Sequence, residues 1–66
     1  MSKTIGSLSV GREKPVYRRA SGELFLKLNE RFHVRTRLDE TKETWLGDGS
    51  AEEFDPDEEV EVIQNT

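Results

Sequence analysis

The sequence predicts an all-β fold: a small antiparallel barrel or rolled sheet of five or six short strands, of SH3-like size. Three observations carry this expectation. Arg31 to Leu38 alternates apolar and polar side chains strictly over eight residues, the period of a strand with one face buried. Turn-forming clusters recur between the other apolar runs, the pattern of a small sandwich or barrel. The chain has 66 residues and no cysteine, so one thin core without covalent staples must hold it.

Met1 to Lys3 reads as a tail, 4–63 as a single domain, and 64–66 as a second tail. Thr4 to Val10 is expected to form a first strand or extended arm, ended by Gly11. Pro15 to Arg19 suits an edge or first strand, because proline lacks the N–H that a central ladder needs. Ala20 to Glu23 is a turn. Leu24 to Leu28 is open between two periods: Leu24, Leu26 and Leu28 share a face as a strand, whereas Leu24, Phe25, Leu28 and Phe32 share one as a helix. The strand is preferred, because Asn29-Glu30 then forms a hairpin turn into the alternating segment.

In that segment Phe32, Val34, Thr36 and Leu38 are expected to face the core, with Arg31, His33, Arg35 and Arg37 opposite. Asp39 to Thr41 turns into a strand over Lys42 to Leu46, with Trp45 assigned to the core. Gly47 to Ser50 is a turn, since glycine permits positive φ and Asp and Ser bond their own backbone. A short strand at Glu52 to Phe54, a turn at Asp55 to Glu58, and a strand at Glu59 to Ile63 with Val60 and Val62 on one face complete the chain.

Charge is split between the halves. Residues 1–37 carry nine Lys or Arg against three acids, and residues 38–66 carry one Lys against eleven acids. Either the halves neutralise each other or one faces a charged partner. The apolar run Leu24-Phe25-Leu26 is far short of the roughly 20 residues of a membrane span, and no signal-peptide stretch opens the chain. The cytoplasm is the default compartment for a chain without cysteine. A core this thin leaves a homodimer open as a further source of stability.

Arg31, Arg35 and Arg37 form a cationic ladder with a spacing of about 7 Å, with Arg18 and Arg19 nearby. Guanidinium groups match phosphates or carboxylates bidentately, so the ladder suits an acidic protein surface or a nucleic-acid backbone. The same arginines can instead pair with acids across the strands, Glu43, Glu59 and Glu61 being available. His33, the only histidine, lies among them and is read as a solvated or hydrogen-bonded surface group, because nothing marks an orienting partner or nucleophile. On the acidic half, Asp55, Asp57, Glu58, Glu59 and Glu61 offer an alternative surface that mimics nucleic-acid phosphates. No calcium loop of alternating ligands is present, and no cofactor or metal is expected.

Ser7-Leu8-Ser9-Val10-Gly11, Val16-Tyr17, Leu26-Lys27-Leu28, Phe54-Asp55-Pro56-Asp57 and Val60-Glu61-Val62 together resemble a loose class of very small bacteriophage and prophage proteins. The chain departs from that class in extra residues between Gly11 and Leu24 and in a more basic central strand. The resemblance implies a compact β protein that acts by binding. The expectation is therefore a non-catalytic macromolecule-binding protein, a phage-encoded accessory that modulates a host protein. Nucleic-acid or nucleotide binding through the cationic strand and acidic mimicry are the alternatives.

Overall fold

The structure, a computed structural model, describes residues 2–41 and 44–64. Among these residues the chain forms β1 (Ser2–Thr4), β2 (Val16–Arg18), β3 (Leu24–Lys27), β4 (Phe32–Leu38), β5 (Trp45–Gly47), β6 (Glu52–Glu53) and β7 (Glu59–Gln64). One 3-10 turn, Ile5–Ser7, follows β1. All pairings are antiparallel, in the order β1-β7-β2-β3-β4-β5, with β6 joined to the start of β4. The sheet is rolled and its end strands do not pair, so it is an open roll rather than a closed barrel. No helix among the described residues is long and apolar enough to cross a membrane.

Several expected elements are corrected by the pairing. The segment read as an N-terminal tail is β1, with Lys3 opposite Val60, and Gln64, read as the start of a second tail, ends β7. The extended arm expected after Thr4 turns at once into the 3-10 helix. Val16–Arg18 is not an edge strand, since it lies between β7 and β3. Pro15 stands one residue outside the ladder, where its missing N–H costs nothing, and its carbonyl accepts from the Lys27 N–H at 2.9 Å. The Asn29 side chain accepts from the Arg31 and Phe32 amides at 2.8 and 2.9 Å, which forms the tight hairpin between β3 and β4.

Register fixes two faces. Tyr17, Phe25 and Arg35 align across β2, β3 and β4, and Lys27 aligns with His33. On this inner face Tyr17 and Phe25 pack with Ile5, Leu8 and Val60, and Phe54 and Val62 close the edges. The 3-10 turn lids it: the Ile5 amide donates to Glu58 O at 3.0 Å and the Gly6 amide to Pro56 O at 2.9 Å. A β-carbon at Gly6 would lie 2.8 Å from Pro56 Cβ, so only glycine allows this approach.

The opposite, outer face carries Val16, Leu26 and Val34 in one row. Leu24 and Leu26, which share a face as expected of a strand, are only half-buried there, whereas Val16 and Val34 are buried. Trp45, assigned to the core from sequence, is half-buried on this side. Its Nε1 donates to Gln64 Oε1 at 3.1 Å, so side chains of β5 and β7 meet although three strands separate them in the sheet order.

Candidate interaction surface

The β4 strand holds the expected arginine ladder, and the structure shows what each rung meets. Arg31 pairs with Glu53 at 3.0 Å, Arg35 pairs with Glu23, and both guanidiniums are exposed. Beside them Arg18 pairs with Glu61 at 3.3 Å. Arg19 makes a two-pronged contact with Glu58, at 2.7 and 2.9 Å, and its guanidinium lies 5.0 Å from the Phe25 ring centre. The bidentate carboxylate holds Arg19 even more firmly protonated than an ordinary arginine. Of the acids expected to pair with the ladder, Glu61 meets Arg18; Glu43 lies outside the described residues, and Glu59 makes no ion pair among them.

Arg37 is the rung left without an ion pair among the described residues. Register places Leu46 opposite Arg37 and Trp45 opposite Leu38. Leu38 is 38% exposed, and Ile63, next to the Trp45 partner Gln64, is 39% exposed; these are the most exposed large apolar side chains among the described residues. The β5 strand lies at one end of the sheet order. Its outer edge therefore offers backbone N–H and C=O groups without ladder partners. The β4–β5 ribbon thus combines an uncompensated cation, apolar side chains and an open strand edge.

His33 is not on this surface. It is 2% exposed, with its ring centre 4.4 Å from Phe25 and 5.7 Å from Phe54. The strict alternation read from β4 fails here because the sheet curls around the strand, burying both His33 and Val34. Tyr17 Oη lies 2.6 Å from His33 Nδ1. Burial pushes the Tyr17 phenol far above the ordinary range, so the hydroxyl keeps its proton and has it to donate. Burial first, and the Arg19 charge second, lower the His33 imidazole below its ordinary value; in the neutral ring that carries its proton on Nε2, Nδ1 accepts from Tyr17.

Lys27 is the residue that sequence reasoning missed. It is 0% exposed, its Nζ donating to Ile5 O at 3.0 Å and Leu8 O at 2.6 Å and reaching Glu30 Oε2 at 3.2 Å. The ammonium also lies 5.2 Å from the Phe54 ring centre. The available signal was its two-residue offset from Phe25, which puts both on one face of a strand.

On the acidic side, Glu58 and Glu61 are engaged by arginines. Asp55 Oδ1 accepts from the Asp57 amide at 2.9 Å and shapes the turn into β7. Asp57 and Glu59 are exposed and make no ion pair among the described residues. Compared with known proteins, the chain matches no family, no curated protein and no solved structure.

Proposed function

We propose that this protein is a non-catalytic module that binds another protein through its β4–β5 ribbon. The observation that carries the reading is the coincidence of Arg37, without an acidic partner among the described residues, with exposed Leu38 on the ribbon whose outer strand is a sheet edge. A partner segment that adds to β5 gains backbone hydrogen bonds from the edge, while an acidic residue meets Arg37 and apolar residues cover Leu38 and Trp45. The partner class we propose, a host protein in the cytoplasm, rests on the resemblance of the short turn and strand segments to small bacteriophage proteins.

The groups most suited to chemistry support a binding role, because Tyr17, Lys27 and His33 are tied to one another or to backbone inside the core. Arg18, Arg19, Arg31 and Arg35 each have a carboxylate alongside, which lowers the positive potential a nucleic acid would need. Acidic mimicry keeps one supporting observation, the exposed Asp57 and Glu59, which make no ion pair among the described residues.

Affinity capture from a bacterial lysate, with variants alongside, separates these readings. The pair Arg37→Glu and Leu38→Asp is expected to keep the fold and abolish capture, whereas Arg31→Gln with Arg35→Gln retains it. Unspecific DNA in excess should not compete. Loss of capture with Asp57→Asn and Glu59→Gln, and none with the ribbon variant, would replace this reading with acidic mimicry.

A further inference from the structure

The inner core holds a lysine, a histidine and a tyrosine, and they are arranged around one ring. The imidazole of His33 lies between Phe25 and Phe54, with its Nδ1 2.6 Å from the Tyr17 hydroxyl, and as the neutral Nε2–H tautomer it accepts from that hydroxyl. Each flanking ring already has a cation close by: the Arg19 guanidinium is near Phe25 and the Lys27 ammonium near Phe54. Lys27 is also the cross-strand neighbour of His33. The acids that face this group are committed or exposed. Glu58, on the turn before β7, is held by Arg19; Glu30 is held by Lys27; and Glu52 of β6, opposite His33 in the register, is exposed. On β4 itself, Arg31 and Arg35 are two residues either side and engage Glu53 and Glu23.

A proton on Nδ1 therefore meets three penalties at once. It reverses the Tyr17 bond, leaving the phenol proton to find another acceptor in the core. It puts a third positive charge beside Arg19 and Lys27. It buries that charge between two aromatic rings without a free carboxylate within the core. The least securely held element beside the ring is the one whose departure lets water reach the buried charge. β6 has two residues, pairs only with β4 and is exposed. Phe54 follows it directly and is tied to the sheet by one backbone bond, its amide to Arg31 O at 3.2 Å.

We infer that the Tyr17–His33 pair is the catch of an acid-operated latch: protonating the imidazole releases β6 and Phe54 from the inner face while β2, β3 and β4 stay paired. Release opens the ring to water, which can take up the phenol proton and screen the new charge, and it uncovers Phe25 and Phe54. This device is independent of the β4–β5 ribbon, so either can fail without the other.

Amide hydrogen exchange of the intact protein, followed by NMR from about pH 7.5 to about pH 5, tests the latch. The Phe54 amide is compared with that of Leu28, which donates to Phe32 O within the β3–β4 hairpin. After correction for intrinsic rates, protection of Phe54 relative to Leu28 should fall by up to roughly tenfold per pH unit below the ordinary histidine value. The substitution His33→Asn keeps an acceptor for Tyr17 but cannot be protonated, and should make the ratio independent of pH. A pH-independent ratio in the unaltered protein overturns the proposal, and that measurement stands even if the variant does not fold. Equal loss of protection at Phe54 and Leu28, indicating global unfolding, also overturns it, as does an unchanged pH dependence in folded His33→Asn.

Discussion

The two faces of the sheet differ in an unexpected direction. The inner face, sealed by the 3-10 turn and Phe54, contains a lysine, a histidine and a tyrosine, all fully or nearly buried. The outer face buries Val16, Val34 and Thr36 near its middle but leaves Leu24, Leu26 and Trp45 half-buried. Where the two disagree, at Lys27 and His33 against Leu24 and Leu26, burial follows closure rather than hydropathy. The face that the chain can roll around is sealed, and its polar groups are tolerated because every buried side-chain polar atom among the described residues has a hydrogen-bond partner. The leucine face has only β5 and its tryptophan across it, which leaves apolar surface towards the ribbon where a partner is proposed to dock.

The strongest way to break this comparison is to remove the ammonium. Lys27→Met keeps volume but leaves the Ile5 and Leu8 carbonyls without their donor, and should destabilise the fold by about 3 kcal/mol. Leu26→Ala on the outer face should cost less, about 1.5 kcal/mol, because the side chain is only half-buried. Urea unfolding of both variants measures the difference, and the reverse order would show that the leucine face is the true core.

A smaller effect tests the seal itself. Gly6→Ala forces a β-carbon to 2.9 Å from Pro56 O and should cost about 2 kcal/mol. Gly47→Ala, whose β-carbon would find nothing nearer than Val34 at 3.8 Å, should change stability by less than about 0.5 kcal/mol. Equal midpoints for the two variants would mean that the 3-10 turn does not close the inner face.

The surface pairs should matter least. Arg19→Gln removes a half-buried bidentate contact and the stacking on Phe25, for about 1 kcal/mol. Arg31→Gln removes an exposed pair, for no more than about 0.5 kcal/mol. Raising salt should narrow the gap only slightly, because the Arg19 pair is partly shielded from solvent.

Much of the fold was legible from particular residues. The strand period of β4, the Asn29-Glu30 hairpin and the turn at Asp55–Glu58 follow from local chemistry, so the all-β class did too; the turn expected from Gly47 begins only after it, because Gly47 ends β5. The sealed face was not legible. Three leucines outweigh Phe25 and Lys27 in any count of hydropathy, and nothing local to Lys27 announces that the carbonyls of a distant 3-10 turn will receive its ammonium. His33 was misplaced for a related reason: its arginine neighbours suggested a solvated face, but curling of the sheet buries that stretch of β4 on both sides. The ladder was legible as a row, whereas its carboxylate partners, remote in sequence, required the fold.

The central claim is that the inner face is sealed around a neutral histidine that accepts from Tyr17. Long-range proton–nitrogen NMR of the single imidazole at neutral pH tests it most directly. The account predicts an unprotonated Nδ1, a proton fixed on Nε2 and a slowly exchanging Tyr17 hydroxyl proton. An imidazole that averages between tautomers and titrates as an exposed side chain does would contradict it.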